Sequence, residues 1–213
     1  MRPMSTRFRI GIKVALWVAC LLPLAHLVYA WQADDLGANP IDYLTRRLGK
    51  TALQLLLASL AMTPIRILAG VSWPIHFRRL LGLFAFFYVG LHFSVWILVD
   101  HFFNWAQMLE DVVKRPYVTV GVTALTLLIP LALTSTTAMV KRLGGARWRR
   151  LHKLVYVAAA LALIHFLWLA KVGVTEPFYY AGALALLLGV RLWDWARRRA
   201  ARYPSRFAEG VEP

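Results

Sequence analysis

The chain has 213 residues, of which 60% are hydrophobic and 16% charged, and it carries a formal net charge of +15. Soluble domains usually carry about 25% charged residues, and here the apolar excess is gathered into blocks long enough to cross a bilayer, which excludes a soluble globular fold. The basic residues sit at the ends of those blocks rather than along a groove interleaved with aromatics, which argues against nucleic-acid binding.

Window hydropathy predicts six membrane spans, near Ile10–Ala30, Leu48–Ala69, Leu80–Val99, Val118–Thr137, Leu151–Ala170 and Phe178–Trp195. The expected fold is therefore an all-α bundle of about six transmembrane helices, forming a single domain over residues 1–213. The first block follows Arg2, Arg7, Arg9 and Lys13 and ends Val28-Tyr29-Ala30, a pattern shared with signal peptides. Its apolar stretch is long enough to be a retained helix. A lone cysteine, Cys20, lies inside it and excludes an intrachain disulfide and any Cys-based zinc or iron–sulfur site. In the second block, Pro64 is expected to kink or end the helix, and Arg66 to snorkel to the headgroups. The connections are short, and no internal repeat is evident.

Charge sets the orientation. With the N-terminus in the cytoplasm, four basic residues precede the first span and Arg66, Arg78 and Arg79 flank the second turn. Six more lie in Lys141–Lys153 and six in Arg191–Arg206, making nineteen inside. Only Arg46, Arg47, Lys50, Lys114, Arg115 and Lys171 fall outside, a positive-inside bias that places both termini in the cytoplasm.

The spans hold almost no carboxylates, Asp194 being close to a helix end, so no acidic relay for protons or cations is visible. Histidines remain: His26, His92 and His165 within spans, His152 at the start of the fifth, and His76 and His101 near boundaries. Imidazole is the usual axial ligand of b-type heme, which needs two ligands at equal depth on facing helices. The third and fifth spans both run outward, and His92 and His165 occupy similar depths about two-thirds of the way across. They are the sharpest candidates, although hydrogen bonding between helices is an equally open reading of composition alone. His152, in a basic segment, reads first as interfacial, and His26 and His101 as interfacial or packing residues. Trp96, Phe102, Phe103, Trp105 and Trp168 suit an outer aromatic belt. Gly82, Gly90, Gly182 and Gly189 suit close helix packing or room for a flat cofactor. No phosphate-binding loop, dinucleotide glycine pattern or His-Glu-x-x-His motif is present, so electrons must come from a quinol, a separate reductase or a bound flavin.

Several stretches carry a resemblance. Arg78-Arg79-Leu80-Leu81-Gly82-Leu83 with Tyr88 and Leu91-His92 is similar to the third helix of the heme-binding membrane subunits of bacterial protein-methionine-sulfoxide reductase systems, the MsrQ family. So are Thr63-Pro64-Ile65-Arg66, Leu133-Thr134-Ser135-Thr136, Arg142-Leu143-Gly144, Arg147-Trp148, the run Leu151-His152-Lys153-Leu154-Val155-Tyr156, and His165-Phe166. The similarity covers essentially the whole chain and places it among ferric-reductase-like transmembrane domains. It implies a b-type cytochrome of the bacterial inner membrane with no substrate-reducing site of its own. Such a subunit takes electrons from the quinone pool and passes them to a periplasmic molybdopterin-containing methionine sulfoxide reductase that repairs oxidised proteins. It also implies bound FMN, without contact residues, and makes His92, His152 and His165 candidate axial ligands of heme iron.

One departure stands out. Two-heme relatives in the wider superfamily carry a histidine fourteen positions before the outer ligand, where this chain has Arg78. His152 then lacks its usual mate unless His76 substitutes, and one heme at His92 and His165 is expected. The rival readings are a ferric-chelate reductase, a non-redox scaffold or transporter, and a quinol oxidoreductase with another periplasmic acceptor. The outer segment Asp100–Pro116 is the expected docking face for a periplasmic partner.

Overall fold

Two tightly packed helix pairs, joined through shared apolar residues, form the centre of the computed structural model, which describes residues 5–170 and 173–201. Arg2, Lys171, Arg202 and Arg206, counted above for topology, lie outside the described residues. Among the described residues every regular element is helical: α1 (Thr6–Gln32), α2 (Pro40–Ala69), α3 (Arg78–Val95), α4 (Trp105–Lys114), α5 (Pro116–Leu133), α6 (Thr137–Leu143), α7 (Gly145–Leu151), α8 (Leu154–Leu169) and α9 (Glu176–Ala201). A 3-10 turn, Trp73–Phe77, leads into α3, and a π-helical turn, Trp96–Asp100, leaves it.

Five helical segments are long and apolar enough to cross a membrane: Thr6–Gln32, Pro40–Ala69, Trp73–Asp100, Pro116–Leu133 and Gly145–Leu169. The chain is thus an all-helical, multi-pass membrane protein. This architecture follows from the hydrocarbon, where backbone groups have no water to bond and helices satisfy them internally. The expected sixth span corresponds to α9, whose apolar stretch is interrupted by Arg191 and Asp194.

Pro64 does not end α2. The helix runs on to Ala69 and stops at Gly70, whose left-handed backbone (φ 66°) suits a residue without Cβ. Asn39 caps the start by accepting from the Asp42 N–H at 3.2 Å, and Pro40 sits where its missing N–H costs nothing. Two connections expected as plain loops are helical. Gly144 separates the basic helices α6 and α7, and Asn104 caps the amphipathic α4.

The pairs α2–α3 and α5–α8 are antiparallel. On α2 the Thr45 carbonyl meets His92 and, further along, Ser59 Oγ donates to the Arg78 carbonyl at 2.8 Å. The shared core consists of Leu53, Leu56, Leu57 and Leu60 from α2, Ala85 from α3, Leu128 and Leu131 from α5, Ala158, Ala159 and Leu163 from α8, and Leu184 from α9. Small residues at 85, 158 and 159 let the helix axes approach closely, as bundles in lipid require. Helix α9 is held by a Lys50–Glu176 ion pair at 2.7 Å, by Gln54 Nε2 donating to Tyr180 Oη at 2.8 Å, and by Arg191. The Arg191 guanidinium lies over the Tyr156 ring, donates to its hydroxyl at 2.7 Å and also donates to the Leu60 carbonyl. One arginine thus ties α9 to both α8 and α2.

Helix α1 lies at the edge, with Phe8, Ile10, Val14, Val18 and Leu22 exposed, an apolar face that lipid accommodates and water does not. Its inner face holds on to Tyr88, which is fully buried. The Tyr88 hydroxyl donates to the Cys20 carbonyl at 2.7 Å and accepts from the Leu24 N–H at 3.1 Å. In an uninterrupted α-helix those two backbone groups bond each other, so Tyr88 inserts into the ladder beside Pro23. Tyr88→Phe removes both bonds but lets Leu24 and Cys20 close on each other. The expected loss is about 1 kcal/mol, or about 2–4 °C in Tm for a protein of this size, read by thermal unfolding in detergent. Tyr88→Ala leaves a cavity and loses about 3–5 kcal/mol by the same measurement.

Candidate functional site

The antiparallel pairs bring two histidines together. His92 of α3 and His165 of α8 face each other with ring centroids 6.2 Å apart and ring planes 78° from parallel. Each ring is fixed by a backbone carbonyl of its partner helix. His92 Nδ1 lies 2.9 Å from the Thr45 carbonyl on α2, and His165 Nδ1 lies 2.7 Å from the Tyr117 carbonyl on α5. A carbonyl only accepts, so Nδ1 of each ring carries the proton and donates. The neutral ring then keeps its lone pair on Nε2, the arrangement that metal-bound histidines use.

The spacing is informative. Imidazole binds transition metals at about 2.0–2.1 Å through a nitrogen about 1.2 Å from the ring centre, so two rings on one metal stand about 6.5 Å apart. The observed 6.2 Å matches that separation. Among the described residues no group of three or more His, Cys, Asp or Glu side chains is placed to hold a metal ion. Two imidazoles alone do not complete the four or more ligands a metal takes. The pair therefore fits a metal that arrives with its own equatorial ligands, as in a porphyrin.

His152 is not brought to this pair. It lies at the break between α7 and α8, stacked on Trp148 at 3.9 Å between ring centroids. Its Nε2 is 3.1 Å from Thr134 Oγ1, whose own proton goes to the Pro130 carbonyl at 2.6 Å. Nε2 is therefore the donor and its lone pair is unavailable, unlike that of His92 and His165. Trp148 Nε1 donates to the Thr134 carbonyl at 2.9 Å, locking the α5–α7–α8 junction. His76 and His26 are exposed, His76 Nδ1 lying 3.1 Å from the Trp73 carbonyl.

His101 is a packing residue, buried to 5% exposure with Asp111 at 6%. Its Nε2 lies 3.1 Å from Asp111 Oδ2, and Arg115 Nε meets the other carboxylate oxygen at 3.1 Å. The turn between them holds Phe102 and Phe103 at positive φ, 46° and 60°, and leaves both side chains exposed with Trp105 and Trp168. Trp96 is not one of these outward aromatics. It packs on Phe93 and on His101, with centroids 5.6 and 4.6 Å away.

The glycines singled out from the sequence are not those against the histidines. A methyl group on Gly90, Gly182 or Gly189 meets nothing, and one on Gly82 meets only Ser59. Gly49 and Gly121 instead lie directly against the His92 and His165 rings. The three-dimensional pairing of α2 with α3 and of α5 with α8 is what identifies them.

Fold and site together define a membrane-embedded bis-histidine helical bundle, and residues 48–163 match the family model described as "Ferric reductase like transmembrane component". Similar proteins named "Protein-methionine-sulfoxide reductase heme-binding subunit MsrQ" occur in Rhodospirillum rubrum, 52% identical over 95% of this chain and 97% of the relative. Others are found in Herminiimonas arsenicoxydans, 50% identical over 88% and 87%, and in Caulobacter vibrioides, 44% identical over 87% and 88%. The chain belongs to the MsrQ family within the ferric-reductase-like transmembrane proteins.

Removing the Asp111 carboxylate leaves buried His101 without its Nε2 partner. Asp111→Ala is expected to cost about 1–3 kcal/mol locally and to raise hydrogen exchange across Trp96–Lys114, measured by mass spectrometry, while exchange in α8 stays unchanged.

Proposed function

We propose that this chain is the heme-binding membrane subunit of a protein-methionine-sulfoxide reductase system, with heme b held between His92 and His165. The observation that carries the reading is the facing histidine pair, 6.2 Å apart, with both Nδ1 atoms engaged and both Nε2 lone pairs free. The names borne by its relatives, heme-binding subunits, point the same way. When bound, the heme supplies one-electron redox chemistry. The protein's part is to hold two neutral imidazoles, fix their tautomer through Thr45 and Tyr117, and enclose the site in apolar helices.

In this reading the chain is a single domain over residues 1–213. It crosses the bacterial inner membrane six times with α9 as the last span, and both termini are cytoplasmic. The distribution of basic residues supports that orientation. It sets the His92–His165 site in the outer half and His152, Arg78 and Arg191 in the inner half. Electrons enter from the quinone pool and leave to a periplasmic molybdopterin-containing subunit that reduces methionine sulfoxide. The resemblance extends to FMN, for which no contact residues are proposed. A self-sufficient ferric-chelate reductase is the second reading, favoured by the family-model description. Rapid reduction of ferric chelates by the purified chain without a partner supports it instead. Reporter fusions after Pro116 and at the C-terminus check the topology, with periplasmic activity expected at the first and cytoplasmic activity at the second.

Detergent-purified protein is expected to give a b-type reduced-minus-oxidised spectrum. His92→Ala and His165→Ala lose it, whereas His152→Ala retains it, because Thr134 and Trp148 occupy that ring. Colourless wild-type protein after expression with ample heme overturns the reading.

A further inference from the structure

Both rings of the histidine pair lie flat on a glycine. A Cβ added to Gly49 stands 3.2 Å from His92 Cε1 and Nδ1, and one added to Gly121 stands 2.9 Å from His165 Nδ1 and 3.0 Å from Cε1. The carbonyl that fixes each ring belongs to the residue four positions before the glycine, Thr45 before Gly49 and Tyr117 before Gly121. Carbonyl and glycine therefore lie one helical turn apart on the same face. Each histidine rests in the same notch, with the Nδ1–H on the carbonyl and the ring plane where a side chain would otherwise start.

The two notches repeat in sequence. Gly49-Lys50-Thr51-Ala52-Leu53-Gln54-Leu55-Leu56 and Gly121-Val122-Thr123-Ala124-Leu125-Thr126-Leu127-Leu128 are identical at six of eight positions. The histidine follows its glycine by 43 residues in the first case (49 to 92) and 44 in the second (121 to 165). The helix pairs α2–α3 and α5–α8 thus share a short sequence pattern as well as the notch. The intervening segments are nearly equal in length but differ in structure, the first holding a 3-10 turn and the second the helices α6 and α7.

We propose that Gly49 and Gly121 are positioning residues, equivalent members of a duplicated half-site, that set the rotation of the two imidazoles and through it the ligand field of the iron they share. This rests on the heme reading of the His92–His165 pair. Ring rotation matters because the relative orientation of two axial imidazole planes determines how far the iron d-orbitals they overlap are split. With both rings on one iron, planes at 78° would leave those orbitals nearly degenerate, and turning either ring toward parallel would separate them. Alanine at 121 obliges the ring or its helix to shift, and alanine at 49 asks the His92 ring to give way. Neither alanine can share the ring's space or leave the Nδ1–carbonyl bond undisturbed. The two sites differ in degree, since 2.9 Å is closer than side-chain carbons stand in practice and 3.2 Å asks for a few tenths of an ångström. A role in close helix packing alone predicts a different result, because alanine is the better helix former and changes stability without moving the iron's spectrum.

The test compares wild type, Gly49→Ala, Gly121→Ala and the control Gly182→Ala, whose added methyl meets nothing. Each is purified as full-length protein and followed by heme content, low-temperature EPR of the oxidised form and midpoint potential. Expected is a wild-type EPR signal of the strongly anisotropic low-spin kind, unchanged in Gly182→Ala and displaced in Gly49→Ala. Gly121→Ala is displaced further, or retains heme about 10-fold less well at unchanged helical content, the scale seen when a metal ligand loses its orienting partner. If Gly121→Ala does not fold, Gly49→Ala decides alone. Wild-type EPR position and potential in the glycine variants overturn the proposal, provided that His92→Ala and His165→Ala still lose the heme. Heme retained by both histidine variants overturns the underlying reading instead.

Discussion

In the apolar middle of a bilayer a neutral imidazole must place its N–H somewhere, and that requirement organises this protein. Both His92 and His165 place it on a main-chain carbonyl of the neighbouring helix, at 2.9 and 2.7 Å. A helix carbonyl with a spare lone pair accepts such a bond without giving up its own ladder partner. The bond is usable only if the helices come close, and closeness depends on the glycine one turn on and on the alanines at 85, 158 and 159. From this constraint follow the tight α2–α3 and α5–α8 pairs, the tautomer of both rings and the lone pair left on each Nε2.

The opposite end of the bundle answers a similar problem differently. His152 spends its Nε2–H on Thr134 and its ring face on Trp148, so its chemistry is used in fixing a helix junction. Arg78 lies at this end as well, and its carbonyl is tied down by Ser59. Arg191 bonds the Tyr156 hydroxyl and the Leu60 carbonyl rather than a carboxylate. One end thus presents unshared imidazole lone pairs and the other presents cations, Arg191 among them with its Nε buried and unbonded. This polarity accords with a single heme in the half of the membrane where His92 and His165 lie under the proposed function.

The segment between α3 and α5 covers the histidine-pair end. Its interior is the buried His101–Asp111 pair, with His101 packed on Trp96 and Asp111 also paired to the exposed Arg115, and its exterior is Phe102, Phe103 and Trp105. Two non-glycine residues in the left-handed region are costly, and such strain persists only where surroundings over-determine it. Here the buried His101–Asp111 contact on one side and the α4 cap at Asn104 on the other hold the turn in place. This assigns the buried histidine a structural role and leaves the exposed aromatics at the surface, where an interfacial belt is expected.

The membrane class, the approximate spans and the His92–His165 candidates were legible in the sequence because hydropathy blocks, charge placement and depth along a helix are one-dimensional properties. Similar positions along the third and fifth spans were enough to single out that pair. The sequence did not decide where each ring's N–H goes, because the Thr45 and Tyr117 carbonyls are backbone atoms 47 and 48 residues away and carry no side-chain signature. It did not single out the glycines that touch the histidines, since a glycine's use depends on what stands opposite it across a helix interface. Gly49 and Gly121 became visible only once α2 lay against α3 and α5 against α8. Pro64 is expected from its local cost to kink or end the helix, and α2 does not end there but continues through a buried Pro64 to Ala69. Sequence determined what each segment is made of and how deep its residues sit, whereas which faces meet, and so which lone pairs remain free, was decided by tertiary packing.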